Sequence, residues 1–169
     1  DEHWTLAGIL EQSSNVGMII AAEKMSNEQR YEFISKFGIG QDNGLGLPGE
    51  ADGLLYSADQ WDLRTQNTVL FGQAYTTNAL QLTNAVAVIA NKGVKKPQRI
   101  IKAISDAEGH SEEQKPEGEA TRVIDEQVAS QVMNAMESVS DHYSQFVKVD
   151  GYRVVAKSGT AEVAGADGR

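Results

Sequence analysis

Between Asn78 and Asn91 the chain carries a helical run whose apolar residues, from Leu80 through Val88 to Ile89, fall nearly all round the circumference. A helix of that kind needs other elements over most of its surface, so the chain has to build several layers around it. Thr77 is placed to cap its start and Gly93 to close its end. A length of 169 residues, 40% of them hydrophobic, suffices for one compact domain with a sizeable core.

The layers are legible on either side. Trp4, Leu6, Ala7 and Leu10 recur at helical spacing, and a second helical run covers Val16 to Met25 after the polar break Gln12-Ser13-Ser14-Asn15. Ser26 with Gln29 forms a capping-box pattern for a third helix, Gly38 stops it, and Tyr31, Phe33, Ile34 and Phe37 are its expected buried face. Residues 38 to 66 are rich in Gly, Asp and Asn. They read as a long ordered excursion because Leu45, Leu47, Leu54, Leu55 and Trp61 give it something to bury. After Pro97 a short strand is expected over Arg99–Ile104. Residues 105 to 120 hold six Asp or Glu and almost no large apolar side chain, which predicts a solvated acidic loop or hairpin tip and the segment most open to disorder. Thr121–Ile124 reads as a strand, Asp125 as the cap of a helix through Met136, Gly151–Ala156 as a strand, and Ala161–Arg169 as the opening of a Gly-rich turn.

Composition excludes several functions. A formal net charge of −9 leaves no basic cluster for nucleic acid and no polybasic patch for anionic lipid. The absence of cysteine removes disulfides, thiolate metal sites and a cysteine nucleophile. The longest apolar run, Ala85–Ala90, is far too short to span a bilayer. His3, His110 and His142 have no metal-ligand spacing, so no metal or other cofactor is expected. Gly44-Leu45-Gly46-Leu47-Pro48-Gly49 matches the letters of a dinucleotide loop, but no strand precedes it and Pro48 has no helix behind it.

Taken alone, Ser13-Ser14-Asn15 is a helix cap, and Lys157-Ser158-Gly159-Thr160 is a strand running into a turn. Together they are two parts of a three-part pattern: Ser-x-Asn between helices, then Lys-Ser/Thr-Gly at a strand far along the chain. The remaining part, Ser-x-x-Lys, is absent, since no serine here has a lysine three residues on.

Between these ends, Phe37-Gly38-Ile39-Gly40 with Gly44 to Glu50, Phe71-Gly72-Gln73, Ala79-Leu80-Gln81-Leu82 and Ile89-Ala90-Asn91-Lys92-Gly93 stand in order. These blocks resemble the transpeptidase domain of class B penicillin-binding proteins, over Leu6 to Glu162. The chain departs from that pattern at Asn78, where Pro is usual, at Lys92, where Gly is usual, and at Ser158, where Thr is commoner.

The resemblance implies the α/β (α+β) fold shared with serine β-lactamases, in which a five-stranded antiparallel sheet is flanked by helices and an all-helical lobe. Residues 1–169 would be the C-terminal part of one such domain, mostly helical with a few short antiparallel strands. It implies a serine D,D-transpeptidase that cross-links peptidoglycan stem peptides ending in D-Ala-D-Ala, is acylated by β-lactam antibiotics and lacks its nucleophile in this stretch. Ser13, Asn15, Lys157 and Thr160 would be the catalytic groups, with Ser158, Gly159 and Thr160 binding substrate. The division-type branch, cell-division partners, the rest of the transpeptidase domain as a partner, and a place on the outer face of a bacterial membrane, with the anchor outside this chain, follow from the same resemblance. A β-lactam sensor or β-lactamase of the same fold, and a non-catalytic division scaffold, are the alternatives.

Overall fold

The computed structural model describes residues 4–45 and 48–160. Gly46 and Leu47 of the glycine-rich block, and the turn expected over Ala161–Arg169, lie outside the described residues. Among the described residues seven α-helices run in chain order: α1 Leu6–Glu11, α2 Asn15–Ala21, α3 Asn27–Lys36, α4 Thr65–Thr68, α5 Ala79–Ala90, α6 Glu126–His142 and α7 Ser144–Val147. Four short strands, β1 Val94–Lys95, β2 Ala103–Ser105, β3 Ser111–Glu113 and β4 Thr121–Arg122, make two antiparallel pairs, Val94 opposite Arg122 and Ile104 opposite Glu112.

The core lies between α5 and α6, where Val88, Ala129, Met136 and Val139 are buried. The apolar stripe of α6 extends the helix past the expected Met136 end, through Val139 to His142. Asp125 stands at its N-cap position without a side-chain cap bond. The expectation that α5 is buried on most sides is corrected: its buried residues are Gln81 and Val88, while Leu82 is 56% and Val86 46% exposed, so one face of α5 is open among the described residues.

The start of α5 also differs from the expected Thr77 cap. Asn78 is the N-cap; its Oδ1 accepts the Gln81 N–H at 2.8 Å, and the Gln81 side chain reaches back to the Asn78 N–H. The usual Pro at this position cannot make either bond. Gln81 is 1% exposed and fully engaged, donating to the carbonyls of Gln41 at 2.6 Å and Asp52 at 2.5 Å and accepting from the Thr77 hydroxyl at 2.8 Å. One buried amide therefore ties the start of the Gly-rich excursion, at Gln41, to its middle, at Asp52. Gly53 lies against this hub with φ +71°, where a Cβ would overlap the Thr76 carbonyl. Leu54, expected inside, is exposed, because its backbone pairs with Thr76 and turns the side chain outward.

α3 forms as its capping box requires, and Gly38 leaves it at φ +94°. Its buried residue is Arg30, not Phe33, which is 47% exposed. The Arg30 guanidinium donates to the Ala22 carbonyl at 2.9 Å and the Gln66 carbonyl at 2.7 Å, tying the end of α2 to α4. α2 stops at Ala21, short of the expected Met25, in a run of turns leading to Ser26. The strand after Pro97 is confined to Ala103–Ser105, and the acidic stretch is a hairpin tip in which Asp106 accepts the His110 N–H at 2.8 Å. Among the described residues, Gly151–Ala156 has no partner strand. A ladder needs a second backbone strand alongside, and the neighbour this segment meets is α6.

Candidate active site

The polar break after α1 is a helix ending of a specific kind. The Ser14 N–H donates to the Ile9 carbonyl at 3.0 Å and the Ser13 N–H to the Leu10 carbonyl at 3.2 Å, which is the Schellman arrangement. Ser13 thus takes the left-handed position, φ +53°, that glycine usually fills. Ser14, in turn, caps α2 by accepting the Gly17 N–H at 3.1 Å. Gly17 lets α2 approach α1: a Cβ there would stand 2.8 Å from Ile9 Cγ1. The sequence reading of a cap is right for Ser14. Ser13 is left free to point elsewhere.

What faces Ser13 is set by α6. α1 packs on α6, and the segment after Tyr152 runs along the same helix. Arg153 grips it, with Nε donating to Glu137 at 2.8 Å and Nη2 to Asn134 at 2.6 Å, while the Ala156 N–H lies 3.4 Å from the Met136 carbonyl. Lys157 then meets α1, and its Nζ donates to Ser13 Oγ at 2.8 Å across 144 residues of chain. The same ammonium donates to the Ser158 carbonyl at 2.9 Å and lies 3.4 Å from the Ser158 hydroxyl.

These groups border one cleft of about 940 Å³, which Asn15, Gly159 and Thr160 also line. All six residues singled out in the sequence therefore stand around a single space. Lys157 is exposed as a residue, yet partial burial of its ammonium lowers its pKa from the ordinary lysine value. An ammonium donating to a hydroxyl oxygen makes that hydroxyl a better proton donor and leaves a lone pair free to accept, which suits a relay. Gly159 has open space where a Cβ would stand, so a ligand can lie against the backbone there.

The rest of the lining was not foreseen. Arg64, Thr65, Thr68, Gln73 and Ala74, from α4, its N-cap and the turn after Phe71, border the same cleft. Phe71-Gly72-Gln73 stood out in the sequence only as a family block. Ala74 adopts φ +62°, so two of the three non-glycine residues with positive φ among the described residues, Ser13 and Ala74, border this cleft. Backbone strain gathered at one cavity is a mark of a working site.

Comparison with known proteins bears on the same residues. The family model described as the penicillin binding protein transpeptidase domain matches residues 1–169. Peptidoglycan D,D-transpeptidase FtsI of Escherichia coli K12 is 34% identical over 98% of this chain. The crystal structure of a peptidoglycan synthetase from Bifidobacterium adolescentis is 74% identical over 99% of this chain and 31% of its own, with a TM-score of 0.91. Penicillin binding protein 3 of Mycobacterium tuberculosis complexed with aztreonam is 36% identical over 82% of this chain and 32% of its own, with a TM-score of 0.73. The chain spans only 26% of the length of the curated relatives it matches first. Helices and short antiparallel strands in this order, with Ser-x-Asn brought against Lys-Ser-Gly, agree with that match: the chain belongs to the transpeptidase domain family of class B penicillin-binding proteins.

Proposed function

We propose that this chain forms two walls of the active site of a serine D,D-transpeptidase, whose nucleophile and its lysine come from a part of the domain outside this sequence. The observation that carries the reading is the Lys157–Ser13 hydrogen bond inside a cleft lined by Asn15 and Thr160. In the reaction, the nucleophilic serine attacks the penultimate D-Ala carbonyl of a stem peptide. Its hydroxyl proton passes to a base, and the C–N bond to the terminal D-Ala breaks as that nitrogen is protonated. A stem-peptide amine then attacks the resulting ester, forms the cross-link and returns the serine.

Ser13 can accept and donate at once, and so serves as the relay that delivers the proton to the leaving nitrogen. Lys157 polarises that hydroxyl and, with Ser158 and Thr160, holds the terminal carboxylate. The Asn15 amide holds the substrate peptide bond, Gly159 leaves room for the ligand, and the Thr160 N–H serves as one oxyanion donor. A β-lactam carries the same carboxylate beside a strained amide and acylates the same serine. Complexes of a relative with aztreonam and with ampicillin support this. The names FtsI and PbpB among the relatives support a division-type role; on this reading the protein works alongside division proteins at the outer face of the bacterial membrane. Among the described residues no helix is long and apolar enough to cross a membrane.

The test is the rate of acylation of the full-length protein by labelled benzylpenicillin. Lys157→Ala should lower it about 100-fold or more, as loss of one charged group in a preorganised site does. An unchanged rate would remove Lys157 from the mechanism.

A further inference from the structure

Lys157 borders the cleft, but the contact that seats its segment lies outside it. Arg153 stands four residues earlier in the chain, and its guanidinium meets α6 on one side of that helix. Nε donates to Glu137 Oε2 at 2.8 Å, and Nη2 lies 2.6 Å from the same oxygen while donating to Asn134 Oδ1 at 2.6 Å. Asn134 and Glu137 are three residues apart in α6, so both acceptors are offered to a single planar fork. None of the three is among the described residues that line the cleft.

Support of the fold does not account for this contact. The Arg153 side chain is 51% and that of Glu137 36% exposed, and an ion pair so open to water adds little to stability. What the fork supplies is place. Charge-assisted contacts from a rigid guanidinium to two residues of one helix fix where residue 153 sits along α6. The Ala156 N–H, 3.4 Å from the Met136 carbonyl, is a long contact and fixes the segment less well. Ser13 is measured off the same helix, because α1 packs on α6. Consecutive Cα atoms are about 3.8 Å apart, so a slip of one residue along α6 moves the root of Lys157 by up to that distance. The ammonium, now 2.8 Å from Ser13 Oγ, would then have to change rotamer or lose the hydroxyl.

We propose that Arg153 and Glu137 are positioning residues of the transpeptidase: the Arg153 fork, seated on Glu137 and Asn134, sets the register of the chain against α6 and so holds Lys157 at Ser13, with neither residue touching substrate. The inference rests on the transpeptidase reading, because that reading gives the Lys157–Ser13 contact its part in acylation.

The second-order rate of acylation of the full-length protein by labelled benzylpenicillin tests it. Arg153→Ala and Glu137→Ala should each lower the rate about 10-fold, less than removal of Lys157 itself, as expected when a working group is displaced and not deleted. Glu137→Gln, whose amide oxygen still accepts from the fork, should stay within about 3-fold of the wild type. The thermal unfolding midpoints of all three should lie within about 3 °C of the wild type. A second background separates positioning from folding. In Lys157→Ala, adding Arg153→Ala should change the remaining rate by no more than about 2-fold, because its effect passes through the lysine. A loss of about 10-fold in that background too, a large fall in the unfolding midpoint, or failure to fold would make the pair a support of the fold and overturn the inference. So would a wild-type rate in Arg153→Ala, which would mean that backbone partners from the rest of the domain hold Lys157 unaided. Glu137→Gln as slow as Glu137→Ala would show that the charge acts and not the seat, and would overturn it as well. An unchanged rate in Lys157→Ala alone would overturn the transpeptidase reading, and this inference with it.

Discussion

Ser13 occupies a position that stability alone would give to glycine. Its φ of +53° at the end of α1 costs about 1 kcal/mol for a residue with a Cβ, and what it gains is a hydroxyl 2.8 Å from the Lys157 ammonium. Ser13→Gly should therefore raise stability by about 1 kcal/mol in thermal or chemical unfolding while cutting benzylpenicillin acylation of the full-length protein. A variant that loses stability would mean that the hydroxyl also holds the fold. Lys157 gives a pH signature. Partial burial lowers its pKa, so the ammonium is lost as pH rises through a value below the ordinary 10.5. The acylation rate should begin its alkaline fall below that pH, and Lys157→Arg should move the fall upward. The stability effect has its own sign: the folded state binds this proton less tightly than the unfolded chain. The resulting penalty is complete below the folded pKa and fades as pH rises toward the unfolded value.

At the scale of elements, the Gly-rich excursion depends on one side chain. Replacing Gln81 by Ala would leave the carbonyls of Gln41 and Asp52 without their buried donor and the Asn78 cap without its reciprocal bond. The expected cost is roughly 3 kcal/mol, read from denaturant unfolding, with the excursion the first segment to gain amide exchange. Such elements were legible where local chemistry dictates them. The Ser26–Gln29 capping box, the Gly38 stop and the α6 stripe all carry their signal within a few residues. The excursion was legible as ordered, but not its means, because a glutamine in an apolar run gives no sign of the carbonyls it will meet. Asn78 rather than Thr77 caps α5 for a related reason: either side chain can cap, and the Ala51 carbonyl, accepting from Asn78 at 2.7 Å, helps select between them. The Gly151–Ala156 strand was misread because a short β-favouring run such as Tyr152-Arg153-Val154-Val155 is a local signal, whereas a ladder requires a neighbour. Arg64 was not foreseen because nothing local marks the arginine that will border a cavity.

Across the whole molecule, α6 is the part that makes a site from the two ends of the chain. It carries α1 on one side and, through Arg153, the segment leading to Lys157 on the other. Ser-x-Asn and Lys-Ser-Gly were legible as motifs, whereas their meeting depends on this long-range packing. The exposed face of α5, with Leu82 and Val86, belongs to the same scale, since the relatives are far longer than this stretch. The central claim is that Ser13 and Lys157 act as one unit. A double-mutant cycle measures that directly, with Ser13→Ala, Lys157→Ala and the pair compared in benzylpenicillin acylation of the full-length protein. If the two groups work only through their shared hydrogen bond, the double variant should be about as slow as the slower single variant. Losses that multiply, each variant lowering the rate by the same factor whether or not the other is present, would contradict the account.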